Sequence, residues 1–265
     1  MITRRAFGGT LAATIVAARR PLAAQHTLTL GIGSYTYHRL SLDLMIEQLT
    51  ALNVREIELS HGEFMLFSHP TVEKVRAARA AFDKAGIACV SYYTATIKSD
   101  TDIDDALRFA EMLGARNVSG DATGDILARI DARFAAAGRT FGIHNHYFKD
   151  GFPYESPDDV LKVLKGRSPA MGATLDIGHI ASCGYDTVDA VRRLAPHLKM
   201  VHLKDVQAKG GEVNVLLGQG IARIPEVMRA LREVRYAGLV AIEYEKEGPV
   251  EADVRTELTY ARGLA

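Results

Sequence analysis

The chain has 265 residues, 24% of them charged and 48% hydrophobic, enough apolar material for one large α/β domain or two ordinary ones. Lys plus Arg and Asp plus Glu balance at 32 each, so no net field draws the chain to the phosphate backbone of nucleic acid. Cys89 and Cys183 are the only cysteines, too few for a disulfide framework or a cysteine-rich zinc site.

The first residues speak to compartment. Thr3-Arg4-Arg5-Ala6-Phe7 has the form of a twin-arginine export signal, and the apolar run from Phe7 to Ala18 is too short to cross a bilayer but fits a signal's hydrophobic region. On this reading residues 1–24 are removed and residues 25–265 act in the periplasm or outside the cell, with no membrane contact after cleavage. A basic, frayed N-terminus of a cytosolic protein is the competing reading.

Beyond that point short β-rich runs alternate with stretches of helical period. The predicted strands are Leu28 to Tyr37, Arg55 to Ser60, Ile87 to Tyr93, Arg116 to Gly120, Thr140 to His146, Met171 to Asp176, Leu198 to Lys204 and Leu239 to Glu245. Ser41 caps a helix whose apolar face is Leu42, Met45, Ile46, Leu49 and Leu52. Ser156-Pro157 opens another that Gly166 ends, and Thr187 opens one that Pro196 stops. Gly86, Gly114 and Gly138 stand just past three further helical stretches. No Pro-, Ser- or Gly-rich linker divides the mature region, so it reads as one domain. About eight strand–helix units favour a single closed (β/α)8 barrel over an open doubly wound sheet, and Gly31-Ile32-Gly33 is too weak a fingerprint for a dinucleotide fold.

Four of these strands end in polar clusters: His144-Asn145-His146, Asp176-Ile177-Gly178-His179, His202-Leu203-Lys204-Asp205 and Glu243-Tyr244-Glu245. Taken singly, each has a plainer explanation. His-x-His fits a hydrogen-bonded loop, Asp176-x-x-His179 a turn in which the carboxylate caps backbone N–H groups, Lys204-Asp205 a solvated charge pair, and Glu245-Lys246-Glu247 a surface charge run that keeps Glu245 out of any site. Recurrence at the ends of the fifth to eighth strands changes the balance. Catalytic groups gather at that end of a parallel barrel, and buried ions there need a shared cation, mutual pairing or water. The pattern predicts a divalent-metal site.

These motifs in this order, together with Leu217-Gly218-Gln219-Gly220, Ser34-Tyr35-Thr36 and Ile57-Glu58-Leu59, resemble the xylose-isomerase-like TIM barrels of the sugar-phosphate isomerase/epimerase group, in a His-Asn-His subgroup. The resemblance implies a divalent cation held by His144, Asp176, His202 and Glu243, with the choice between His144 and His146 open. Many sugar epimerases of this fold carry a glutamate on the fifth strand, where this chain has His144, so their two-glutamate mechanism does not transfer intact. Two imidazoles and two carboxylates suit Mn²⁺ or Zn²⁺ first, with Co²⁺, Fe²⁺ or Mg²⁺ as alternatives. His146 or His179 is then the expected base, Lys204 a stabiliser of negative charge, and Glu58 a binder of a substrate hydroxyl or a second acid/base.

The expected function is a metal-dependent isomerase or epimerase acting beside a sugar carbonyl through an enediolate. Its alternatives are a lyase that eliminates the aglycone from 3-keto-glycosides, and a non-catalytic metal-containing sugar-binding barrel. Export favours a free sugar, keto-sugar or glycoside over a phosphorylated metabolite. A likeness to the endonuclease IV group, which shares Asp176-x-x-His179, is weakened because the third and fourth strands offer Cys89, Ser91, Ser119 and Asp121 but no histidine. The partners are a small sugar and no nucleic acid, with homo-oligomerisation left open.

Overall fold

A computed structural model describes residues 26–60, 70–94, 96–147, 151 and 153–265. The twin-arginine segment and its cleavage point lie outside the described residues. Eight parallel strands close into a barrel: β1 (Thr29–Gly33), β2 (Glu56–Leu59), β3 (Ala88–Tyr93), β4 (Asn117–Gly120), β5 (Thr140–His144), β6 (Met171–Asp176), β7 (Leu198–Leu203) and β10 (Leu239–Ile242). Closure is made by β1 on β10, in register from Thr29 opposite Leu239 to Ile32 opposite Ile242. A two-stranded antiparallel hairpin, β8 (Asp205–Val206) with β9 (Asn214–Val215), follows β7. The helices are α1 (Leu42–Ala51), α2 (Val72–Ala85), α3 (Asp100–Leu113), α4 (Ile126–Ala136), α5 (Pro157–Leu164), α6 (Ile177–Ser182), α7 (Thr187–Leu194), α8 (Ile224–Glu233) and α9 (Glu251–Leu264). Among the described residues no helix is long and apolar enough to cross a membrane.

The strands are covered on both faces, which is why they read as near-continuous apolar runs; every residue of β6 is buried. One apolar layer lies between barrel and helices, built from residues such as Ile57, Phe82, Phe109, Phe134, Leu175 and Leu231. Helix starts follow the local chemistry. Ser41 Oγ accepts from Leu44 N–H, and Ser156 forms a reciprocal capping box with Asp159 behind Pro157. Gly86 and Gly114 take the left-handed conformation at the ends of α2 and α3. One boundary shifts: α7 is capped by Asp186 rather than Thr187, because the Asp186 carboxylate reaches two N–H groups, whereas Gly138 stands just past α4 and its C-cap Ala137, as expected.

Seven of the eight barrel strands are shorter than the sequence predicts, β6 alone matching, and three of the changes reach the site. β1 gives way to a 3-10 turn at Ser34–Tyr37, β5 stops at His144, and β10 stops at Ile242. His146, Glu243 and Glu245 therefore stand on loops, where strand alternation no longer sets their direction. The loop after β7 is built around Asp205. Its Oδ1 accepts from the N–H groups of Val206 and Ala222 at 2.9 and 3.0 Å, and its Oδ2 from Gly218 and Gly220 at 2.9 and 3.0 Å. A Cβ on Gly220 would lie 2.2 Å from Val206 O, so only glycine lets the loop close on this carboxylate. Lys204-Asp205 is consequently not a solvated pair; both side chains are buried.

Glu257 on α9 supports the same loop, accepting from Leu217 N–H at 3.2 Å, while its other oxygen is buried and accepts no hydrogen bond. Burial pushes this carboxyl from its ordinary 4.5 up to about 8. Between those values the native state holds a proton that the unfolded chain has lost, so stability falls as pH rises through that window. Melting temperature is expected to drop between pH 5 and pH 8.5 and to drop less in Glu257→Gln, the difference corresponding to about 4 kcal/mol. Parallel melting profiles for the two chains would refute a protonated Glu257.

Candidate metal centre

The C-terminal mouth of the barrel gathers His144, Asp176, His202 and Glu243, as their positions at strand ends require. Asp176 ends β6 and begins α6. One oxygen, Oδ1, caps the helix by accepting His179 N–H at 2.8 Å, which explains the Asp-x-x-His spacing, and leaves Oδ2 turned into the mouth. Asn145 clamps the backbone there: its amide donates to Asp176 O at 3.0 Å and its carbonyl accepts Asp176 N–H at 2.9 Å. That bond pair continues the β5–β6 pairing beyond the last residue of β5, a role the sequence reading did not give to the middle residue of His-Asn-His.

Three ligand atoms, from His144, Asp176 and His202, lie within 4.8 Å of one another, and Glu243 flanks them. His144 Nε2 lies 3.2 Å from His202 Nδ1, each of these nitrogens is 3.8 Å from Asp176 Oδ2, and Glu243 Oε2 is 3.2 Å from His202 Nδ1. Donors bound at 2.0–2.2 Å around a tetrahedral ion stand about 3.3–3.6 Å apart, so His144, Asp176 and His202 need little movement to close on a cation, and Glu243 would join them from beside His202. Asp176 Oδ2 is buried with the Lys204 ammonium 3.1 Å away as its counter-ion, so a metal bound there would share this oxygen with Lys204. The residues present fit a divalent metal.

His202 is held from behind. Its Nε2 is 2.5 Å from Glu58 Oε2, while Glu58 Oε1 accepts from the hydroxyls of Ser91 and Ser119 at 2.7 and 2.6 Å. Thr174 Oγ1 donates to Ser119 Oγ, and Asn117 bonds both serines. Glu58 therefore sits buried beneath the mouth and is not part of the pocket lining. This departs from the expectation that it meets a substrate hydroxyl: strand phase points it inward, but its depth puts His202 between it and the pocket. A carboxylate on the far nitrogen of a histidine fixes which nitrogen faces a metal.

His146 lies beside the first group. Its Nε2 is 2.9 Å from Asp121 Oδ1 and 3.0 Å from His144 Nδ1, so His144 joins two clusters, one through each ring nitrogen. His144 Nε2 belongs to the deeper set with Asp176 and His202. Asp121, one residue past β4, was passed over in the sequence as a position lacking histidine; a carboxylate ending a barrel strand was the available signal. Tyr93 donates to Asp121 Oδ2 at 3.5 Å and sets its ring edge-on to His144, with centroids 5.2 Å apart.

Lys204 Nζ is 3.1 Å from Asp176 Oδ2, 3.1 Å from Glu243 Oε2 and 2.7 Å from Glu245 Oε1. Glu245 thus belongs to the site, against its reading as part of a surface charge run. Its backbone N–H donates to Asn214 Oδ1 on the hairpin, which draws the chain inward. The resulting cavity of about 260 Å³ is lined by His144, His146, His179, Lys204, Glu243 and Glu245, with Tyr35 and Tyr93 among its walls. A larger cavity of about 740 Å³, lined by Glu56, Arg79 and Lys199, lies at the opposite end of the barrel and holds none of these groups.

Electrostatics match the donor set. Burial raises the Asp176 and Glu243 carboxyls, but nearby cations outweigh it. His179, where it carries a proton, and Lys204, the cation that persists at neutral pH, hold Asp176 well below the usual range, and His202 and Lys204 hold Glu243 at about 2. Burial, reinforced by His146 and His202, keeps the His144 imidazole neutral, as a ligand must be, and burial lowers His179 to about 3. For His202 burial is overcome by Glu243 and Glu58, which retain a proton on the ring; a bound cation would displace it from Nδ1.

The family model described as the xylose isomerase-like TIM barrel matches residues 46–264. An uncharacterised protein of Mycobacterium tuberculosis is 29% identical over 85 residues, 32% of this chain and 30% of its own, so the chain spans under a third of that relative's length. Among solved structures, the probable 3-DHS dehydratase AsbF of Bacillus anthracis superposes with a TM-score of 0.71 at 13% identity, over 88% of this chain and 98% of its own. D-psicose 3-epimerase of Clostridium cellulolyticum H10, solved with D-tagatose, gives 0.67 at 13% identity over 89% and 99%. An IolI protein with a bound zinc atom gives 0.68 at 14% identity over 89% and 98%. At these identities the likeness is one of fold.

Proposed function

The chain belongs to the xylose isomerase-like TIM-barrel family, and from that premise we propose that it is a metal-dependent sugar isomerase or epimerase acting at the carbon beside a carbonyl. One observation carries the reading: buried donor atoms of His144, Asp176 and His202 lie within 4.8 Å of one another, with Glu243 Oε2 3.2 Å from His202, beside a pocket whose wall also presents His146 and His179. His144, Asp176, His202 and Glu243 would hold the metal, which when bound supplies Lewis-acid polarisation of the carbonyl. Neighbours of the same fold that carry epimerase and zinc-bound names support this reading without deciding it.

The chain's own residues supply the rest. His146, steadied by Asp121 at 2.9 Å, is the proposed proton acceptor, because a carboxylate on one ring nitrogen stabilises the imidazolium that forms. Lys204 stays an ammonium, since Asp176, Glu243 and Glu245 outweigh the effect of burial, and with its three donors engaged by those carboxylates it acts on negative charge developing at the substrate only through space. Glu58 is proposed as the positioning residue for His202. Isomerisation, epimerisation and elimination of an aglycone all begin with the same proton removal.

The test is solvent exchange. The metal-loaded chain, incubated in D₂O with ketohexoses, is expected to place deuterium at the carbon beside the carbonyl, read by NMR and mass spectrometry. Release of an aglycone from a 3-keto-glycoside would redirect the reading to a lyase. A sugar that binds yet never exchanges would overturn the enzyme in favour of a binding barrel.

A further inference from the structure

We infer that the pocket accepts an uncharged sugar and rejects phosphorylated or carboxylated ones, and that Glu245 is the residue that sets this preference. The inference rests on the sugar reading above and deepens it. Recognition of a phosphate or carboxylate needs a cationic side chain with bonding capacity to spare, or a set of converging N–H groups. Among the described residues lining the pocket, Lys204 is the one lysine or arginine, and its ammonium is engaged by three carboxylates.

Asp176 and Glu243 belong to the proposed ligand set, but Glu245 does not. Its carboxylate lies 2.7 Å from Lys204 Nζ, and it is the partly exposed member of the pair, with side-chain exposures of 36% for Glu245 and 2% for Lys204. Glu245 therefore stands between the ammonium and the pocket space, where an anionic substituent would otherwise dock. Its place is fixed by the hairpin: Asn214 accepts Glu245 N–H at 3.1 Å and donates to Glu212 O at 3.0 Å, and Glu212 is a further acid in the lining. The carboxylates of Asp176, Glu212, Glu243 and Glu245 outnumber the positive charge of Lys204 and a divalent cation together. An incoming anion meets net repulsion, whereas sugar hydroxyls find acceptors in the same carboxylates.

Calorimetric titration of the metal-loaded full chain with D-tagatose and D-psicose, their 6-phosphates and inorganic phosphate tests this. The neutral sugars are expected to bind with little salt dependence. The 6-phosphates are expected to bind about tenfold more weakly, with the gap widening from about 150 mM to about 10 mM ionic strength as screening length grows from roughly 8 to 30 Å. In Glu245→Gln the gap should narrow to about threefold, because the Lys204 ammonium regains capacity for an anion. Tighter binding of the 6-phosphates by the native chain would overturn the inference while leaving the sugar reading intact. An unchanged gap in Glu245→Gln would overturn the role of Glu245. Binding of neither sugar series, with no deuterium exchange, would overturn the sugar reading and this inference with it.

Discussion

Asp176→Ala and His202→Ala are expected to lose their metal, falling from about one equivalent per chain to near zero in elemental analysis, and to lose deuterium exchange with it. Asp176 is central: its Oδ2 is 3.8 Å from both imidazole nitrogens and 3.1 Å from the Lys204 ammonium. Folding is expected to survive. Removing the Asp176 carboxylate costs the α6 cap, about 1 kcal/mol, and Lys204 keeps Glu243 and Glu245 as counterions. Asp176→Asn, which retains a capping oxygen, separates loss of the ligand from loss of the cap, and melting curves check the fold of all three variants. Glu58→Gln should act more gently. Its amide donates where the carboxylate accepted, so His202 must present the wrong nitrogen or lose its support, and metal affinity is expected to fall by about 10- to 100-fold. Full metal retention in both alanine variants would sink the proposed ligand set.

Much of the fold was legible because a parallel barrel writes its period into the chain. The strands are largely buried on both faces, most helices have a side-chain cap or a glycine stop, and predicted and observed strands overlap at all eight positions. What periodicity cannot carry is depth and loop direction. Alternation says that Glu58 points inward but not that His202 lies between it and the pocket. It also pairs His144 with His146, although β5 ends between them and Asn145 takes over the link to β6. Glu245-Lys246-Glu247 has the composition of a solvated run. Only the hairpin, too short at two residues a strand to leave a pattern, brings Glu245 to Lys204. The hairpin loop in turn depends on one carboxylate, Asp205, whose four N–H partners are spread from Val206 to Ala222.

His146→Ala is expected to keep its metal and lose about 10²- to 10⁴-fold in the rate of deuterium exchange, the range for removal of a proton-transfer group. The expectation rests on position. His146 lines the pocket, leaves the deeper donor set to His144, and is held by Asp121 on the adjacent strand end. Asp121→Asn keeps a hydrogen-bonding side chain but not the charge that steadies an imidazolium, so its exchange rate should fall by a smaller factor, with kcat affected more than KM. His179→Ala provides the comparison. The His179 ring stands 5.7 Å from that of His146, and its Nε2 lies 3.7 Å from Asp176 Oδ2, close to the donor set rather than to a carboxylate of its own. A larger loss of exchange in His179→Ala than in His146→Ala would transfer the proton to His179. Loss of metal in His146→Ala would move His146 into the ligand set through the cluster it forms with Asp121 and His144, and would leave proton removal to another group on the pocket wall.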